Sequence, residues 1–356
     1  GDVGVRVPEF YICVKDTGTK YQLWISDFNI DGTFTRVHPF IISHTKTMTR
    51  TREDSKEEVF SACIKHDDTR YLGGNKSSSV VATKLQGRPR TGINYDKANE
   101  FCANRGDWIT MIDYLEYCAI QALCYIEYAN FDNQAALNTN LTSDGFKQGG
   151  LGAGITNLAW DRWTAFNGNN PIVQTYWTAE HNIGNGSTNG DHYELGNYNT
   201  DGSNLNTYPA VYRGILNFFG DIWTFIRDVV IVNRNANYNS VYLLKKGVNH
   251  ADITIDNIQD KCYFIGDQAN SNNFITEFDF RFGPYFIPNK VGSNKKADYN
   301  WIRGSNGPDT DKVVRVLLFG GRARNGSAAG SGCFISGWLR SDSYADVGFF
   351  TTVKLD

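Results

Sequence analysis

The chain has 356 residues, 41% of them hydrophobic and 21% charged, with a formal net charge of -3. That is enough to bury one large core or two ordinary ones, and the absence of any block of like charge gives no nucleic-acid footprint. No apolar run approaches the ~20 residues of a membrane helix, so membrane insertion is not expected.

Aromatic residues at 14% and 35 glycines beside only 8 prolines point to strands and loops carrying large flat side chains. Seven cysteines leave at least one unpaired, and none forms a CxxC pair. We therefore expect a chain made in a reducing cytoplasm, with no signal peptide at Gly1, no metal site and no cofactor.

Two strand-like runs, 10–14 and 21–26, are joined by turn-prone residues at 16–19 and read as an N-terminal β-hairpin extension covering 1–32. Apolar positions resume at 37–44 after a second turn at 29–32. His38 and His44 flank a proline at poor spacing for a shared metal, and a structural role is expected for both. Residues 67–89, with Gly73-Gly74-Asn75 and three consecutive serines, read as an exposed loop.

Asn94 caps a first predicted helix whose apolar positions are Tyr95, Ala98, Phe101 and Cys102, ending on Gly106. A second helix is expected to open at Thr110, with Asp113 in a short capping box. Its apolar stripe is Leu115, Cys118, Ala119, Ala122, Leu123 and Ile126. Glu116 and Glu127 sit off that stripe, where a solvated face or an internal hydrogen bond is expected rather than catalysis.

From 138 to 207 apolar periodicity is low, and Asn, Gly, Thr and aromatics (Trp160, Trp163, Trp177, Tyr193, Tyr198) crowd the chain. Such a segment inside a compact domain reads as functional or inserted. A further excursion is expected over 233–300, with strand-like 241–244 and 262–265 and an alternating half-exposed strand at 252–256. Early strands, two consecutive helices and a loop-rich remainder make an α+β domain with helices on a twisted, mostly antiparallel sheet.

The last stretch starts as a buried strand at 313–319 and breaks on Gly320-Gly321. Arg340, Asp342, Tyr344 and Asp346 alternate with small residues, which in an extended chain puts four large polar groups on one face. Arg322 and Arg324 alternate after the glycine pair.

The frame FGGxxxNGxxAG followed by VGF resembles the variable region of proteins diversified by retroelements. The helical stretch 97–108 and the segment YRGILNFFGDIWTF at 212–225 are similar to the same family's C-type lectin-like scaffold, with Phe218, Asp221 and Phe225 replacing commoner residues. The resemblance implies a C-type lectin-like domain over 33–356 with insertions near 138–207 and 233–300. Two helices would pack on short twisted antiparallel sheets, with a variable ligand-binding segment at 320–350. It implies that Gly220 allows a tight turn, that Trp223 fills the core beneath the variable strands and that Arg213 is structural.

The implied function is receptor recognition of the phage-tail or viral kind. The protein would sit on a virion, at its tail or surface, or be displayed at a cell surface, and its partner would be a protein or glycan ligand there. Proteins of this kind are commonly oligomeric, so a homo-oligomer is part of the expectation. The implied variable positions are Arg322, Arg324, Ala328, Cys333, Ile335, Gly337, Arg340, Asp342, Tyr344 and Asp346. Trp338 is expected to be scaffold, because substitution of adenines in an Asn-type codon cannot give Trp.

Formylglycine-generating enzymes share the scaffold and supply the alternative, an oxidoreductase working through paired C-terminal cysteines. Here only Cys262 and Cys333 fall in that half, in unrelated contexts, so no enzyme is expected. A fixed-specificity adhesin or viral structural protein is the remaining alternative. The sugar-reading EPN, QPD and WND motifs of calcium-dependent lectins do not occur, so calcium is not expected.

Overall fold

A computed structural model describes residues 2–18, 20–61, 68–71, 73–76, 85–137, 140–153, 167–175, 193–194, 206–234, 237–293, 298–302 and 313–355. The architecture is mixed and rich in sheet. Its largest unit is a nine-stranded sheet. The order is Cys262–Ala269, Tyr238–Leu244, Trp223–Asn233, Arg315–Phe319, Phe334–Trp338, Tyr299–Trp301, Asn273–Asp279, Ile287–Gly292, with Val347–Gly348 added parallel to Trp223–Asn233. The two edge strands come back together, since Asn289 Nδ2 donates to Asp267 O at 3.2 Å, and the strand next to the edge joins in as Asp267 N donates to Asp279 Oδ2 at 3.0 Å.

The central strand Arg315–Phe319 explains why residues 313–319 are apolar without alternation. Leu317 and Phe319 enter one core cluster and Val316 and Leu318 the other, so both faces are covered. Helix α1 (Tyr95–Arg105) supplies Tyr95, Ala98, Phe101 and Cys102 to the cluster that holds Trp223 and Phe225. Helix α2 (Tyr114–Tyr128) serves the other, where Tyr117 stacks on Phe218 and Phe319 at 4.8 and 4.6 Å.

Asn94 caps α1 as expected, its Oδ1 accepting from Lys97 N at 2.9 Å, and the helix ends at Gly106. The start of α2 differs from the sequence reading. Thr110 lies in a two-residue strand (Thr110–Met111) paired with Thr351–Lys354, and the N-cap is Asp113. Asp113 Oδ1 accepts from Glu116 N and Glu116 Oε2 from Asp113 N, both at 2.9 Å, a reciprocal capping box.

Buried positions run around most of α2, well beyond the expected stripe, while Leu115, Leu123 and Ile126 are only half-buried. Glu116 is buried and also accepts from Thr352 Oγ1 at 2.9 Å. Both helix glutamates make internal hydrogen bonds. Glu127 holds Arg213 through two bonds, at 2.9 and 2.6 Å, and accepts from Tyr212 Oη.

The N-terminal hairpin forms (Phe10–Asp16 with Tyr21–Ser26) and is docked on the core, with Phe10 and Ile12 buried and Tyr21 Oη donating to Phe278 O at 3.0 Å. Strand Gly4–Val7 pairs with Phe40–Ser43, which pairs with Thr351–Lys354. His44 is buried and His38 exposed.

Two local expectations fail. Where described, the 67–89 region is not an exposed loop: Gly73, Gly74, Arg88 and Arg90 are buried, because Gly74–Asn75 pairs with Arg90–Thr91 and Arg90 holds Glu57. The 252–256 alternation is a 3₁₀ turn and bend, not a strand. Asn257 ties it together by accepting from Thr254 N and donating to Asp252 O, both at 2.9 Å. The strands expected at 241–244 and 262–265 form, and residues 233–300 supply five strands of the largest sheet.

In the 138–207 segment, Trp160, Trp163, Trp177 and Tyr198 lie outside the described residues, as do Cys63 and Arg303. Among the described residues no helix is long and apolar enough to cross a membrane.

Asp113→Ala removes the cap and the carboxylate that Lys354 Nζ reaches at 2.9 Å. Loss of a capping side chain costs about 1 kcal/mol and up to about 2. Urea unfolding should show a fall of that size with the slope unchanged.

Candidate functional site

The turn that supports the C-terminal segment is written in the YRG motif. Arg213 and Gly214 form a two-residue hairpin loop between Val211–Tyr212 and Ile215–Leu216, both with positive φ (48° and 86°). Glycine relieves the second position, and the arginine, anchored on Glu127, occupies the first.

Gly220 has φ 75°, and a Cβ there would lie 2.2 Å from Gly149 O, so only glycine admits this approach. The neighbouring Asp221, a departure from the family frame, is buried and accepts from Ile172 N at 2.8 Å. Lys46 matches it. That lysine is buried, donates to Asn217 O at 2.6 Å and Gly220 O at 3.1 Å, and is pulled down to about 7 by burial against the opposing pull of Asp221.

After Phe319 the chain leaves the sheet through Gly320 and Gly321 at φ 92° and 76°. It returns at Cys333, whose carbonyl accepts from Gly320 N at 2.9 Å. The loop between is pinned from beneath. Ala323 N donates to Asp221 O at 2.9 Å, Tyr117 Oη to Ser331 O at 2.9 Å and Gln134 Nε2 to Ser327 O at 3.2 Å and to Ala329 O.

Asp298, buried, accepts from Gly332 N and Tyr125 Oη, both at 3.0 Å. Burial first, then Asp132, pushes its carboxyl up to about 7 against the hydrogen bonds that lower it.

The second stretch, 339–346, is not the alternating strand its pattern suggests. Leu339 N donates to Asp342 Oδ2 and Asp342 N to Leu339 O, each at 3.0 Å, so the aspartate side chain folds the backbone into a turn. Tyr95 N donates to Arg340 O, Gly92 N to Tyr344 O and Trp223 N to Asp346 O. The backbone partners that a strand would need are thus α1, the 90–94 segment and the core strand in turn.

The four alternating polar residues therefore part company. Arg340 is half-buried, its Nε 3.4 Å from Asp96 Oδ2 of α1; Asp342 is half-buried in the turn; Tyr344 is 45% exposed. Asp346 is buried and ion-paired with Arg322.

Of the other expected positions, Arg324 is exposed, and Arg322 and Ile335 are half-buried. Ala328, Cys333 and Gly337 are buried, Cys333 within the cluster of Trp223, Leu318 and Phe349. Trp338 is half-buried, with Tyr344 edge-on to it at 4.3 Å.

The outward set is thus Arg324, Arg340, Asp342 and Tyr344, joined by Ser341 and Ser343, both exposed. Sequence reasoning assigned those serines to the small-residue face and had no reason to include Asp96. The Trp223 indole is buried beneath, in the same cluster as Val347 and Phe349.

Cys262 and Cys333 lie in separate core clusters. Burial pushes the Cys262 thiol up to about 11 and the Cys333 thiol well above the usual range. Neither is a ready thiolate.

No protein-family model and no curated protein matches the chain. Among solved structures it is similar to Major Tropism Determinant P3c Variant, at 10% identity over 98% of this chain and 72% of that one, with a TM-score of 0.29. For Major Tropism Determinant U1 Variant the identity and coverage are the same and the TM-score is 0.27. At such scores the likeness carries no argument about fold or function.

The raised Asp298 pKa means that the folded state binds its proton more tightly than the unfolded chain does. Its contribution to stability is full below the unfolded carboxyl value near ~4 and is lost as pH rises to about 7. Unfolding free energies measured from pH 4 to 8 should decline less steeply in Asp298→Asn than in the parent.

Proposed function

We propose that the chain is a ligand-binding protein that recognises a receptor through residues 320–350 on a C-type lectin-like scaffold, and that a retroelement diversifies this surface. The observation that carries the proposal is a rigidly founded, chemically varied rim. Arg324 projects from a loop whose backbone is held by buried groups of α2, Gln134 and Asp298, and Arg340 and Tyr344 from one whose carbonyls accept from Tyr95 N, Gly92 N and Trp223 N. Arginine and tyrosine bring large area with polar reach, which suits them to carry interface energy. Apart from Asp342, whose carboxylate folds its own turn, the base is fixed without the outward side chains, which a surface needs if those side chains are to change while the fold stays.

The ten family-derived positions take two roles in this proposal. Arg324, Arg340, Asp342 and Tyr344 contact ligand directly, with Arg322 and Ile335 at the margin. Ala328, Cys333, Gly337 and Asp346 act from below by setting the shape of the loops. Residues 1–32 would support a lectin-like unit over 33–356, carried on a virion or at a cell surface, and the ligand is a protein or glycan there. The oxidoreductase alternative draws no support from two buried cysteines in different clusters.

Two measurements test this. Sequencing the locus should find a near-copy of the 313–350 coding stretch beside a reverse-transcriptase gene, differing opposite its adenines. Failure to find one leaves a fixed-specificity adhesin.

Arg324→Ala and Tyr344→Ala should each leave the thermal midpoint within about 2 °C, as expected of exposed side chains. Adsorption to receptor-bearing cells should fall by about 30-fold for a residue that dominates binding. Unchanged adsorption in both variants would place the ligand elsewhere.

A further inference from the structure

A groove of about 1470 Å³ runs beside α1, between that helix, the 244–251 segment and the C-terminal strand, and touches the display loops only at Arg340. Five basic and five acidic side chains line it, so the formal charges cancel. Several of them are already paired across its floor and mouth: Lys354 with Asp113 at 2.9 Å, Arg227 with Asp113 at 3.5 Å and Arg340 with Asp96 at 3.4 Å. A strongly charged ligand would have to break such pairs. A neutral one would not.

Polar groups without internal partners remain in the lining. His250 is 3% exposed, its ring 5.1 Å from that of Tyr95 and its buried nitrogens facing the backbone of Arg315 and Val229, so it shapes the groove without reaching into it. Burial first, then Arg340, pulls it down to about 4, so it is a neutral imidazole with one donor and one acceptor. Asn99 uses its Nδ2 on Tyr95 O and Asn249 its Oδ1 on Ala251 N, which leaves an amide oxygen on one and an amide nitrogen on the other.

Just beyond the end of α1 stands Trp108, 52% exposed, the largest exposed apolar side chain of the groove, whose lining mixes polar groups with Leu244, Val248 and Leu355. The lining therefore asks for groups that donate and accept at once, together with a flat apolar face for the indole. Hydroxyls meet the first demand, and the C–H face of a sugar ring meets the second.

We infer that this groove is a second binding site, distinct from the display loops, that takes a neutral oligosaccharide. Trp108 stacks on one sugar ring, and the side-chain amides of Asn99 and Asn249 meet hydroxyls further along the oligosaccharide. The site deals in a fixed chemistry while the loops beside it vary. A constant weak hold on cell-surface glycan then adds to the variable contact by raising its effective concentration.

The test is retention of the full chain on an array of neutral and sulphated or carboxylated oligosaccharides, using the parent, Trp108→Ala, Asn249→Ala and Tyr344→Ala. The first two substitutions fall on exposed side chains, and thermal midpoints check that each variant is folded. Retention on neutral oligosaccharides is expected, weakened about tenfold or more by loss of the indole platform in Trp108→Ala, weakened in Asn249→Ala and unchanged in Tyr344→Ala.

No retention on any neutral oligosaccharide overturns the inference. So does preference for the anionic set, or neutral binding that Trp108→Ala leaves intact. Neutral binding abolished by Tyr344→Ala would assign the sugar to the display loops instead. Loss of cell adsorption in Tyr344→Ala with array binding intact separates this site from the proposed receptor surface.

Discussion

A helix buried on most of its circumference has to find a partner for each polar group it carries inward, and α2 is such a helix. Left unmet, the buried hydroxyls of Tyr117 and Tyr125 would cost about 1–3 kcal/mol each. Tyr117 spends its hydroxyl on Ser331 O and Tyr125 on Asp298, which in turn takes Gly332 N. The satisfaction of the helix and the shape of the C-terminal loop are therefore one problem with one solution. The loop is held by its backbone, and its side chains are left out of the agreement.

The same economy runs through the central strand. Arg315–Phe319 sends Leu317 and Phe319 towards α2 and Val316 and Leu318 towards α1, so two helices of different character are packed through a single five-residue strand. Gly320 and Gly321 then release the chain at the only places where backbone of positive φ is needed for the exit. Lys46 and Asp221 show how a buried charge is absorbed. The buried carboxylate of Asp221 is faced by a buried ammonium from a segment 175 positions earlier in the chain.

What could be read from the sequence was whatever depends on near neighbours. Asn94 as a cap, Gly106 as an end and the apolar strand before Gly320 are local patterns with local causes, and they stand. The opening of α2 was misplaced by three residues because Thr110 is an acceptable cap by type. Only its pairing with Thr352 takes it out of the helix. The alternation at 340–346 failed for the same kind of reason. Period two describes a strand only if a neighbour supplies a ladder, and here Asp342 offered its own side chain to the backbone first. The groove beside α1 was invisible because Trp108 and Asn249 stand 141 positions apart in sequence and nothing local links them.

Thr47 Oγ1 donates to Thr351 Oγ1, across 304 positions of chain, and Tyr21 reaches Phe278 across 257. Contacts of this separation are costly to close and slow folding relative to chains built from local pairs. The segment that carries the outward loops also pairs with Phe40–Ser43 and supplies side chains to the two clusters on which α1 and α2 pack. Substitutions at exposed loop positions touch none of these closing contacts. Diversity at the rim is then nearly free of kinetic consequence, whereas a change at Phe319 or Phe349 would slow assembly of the whole molecule.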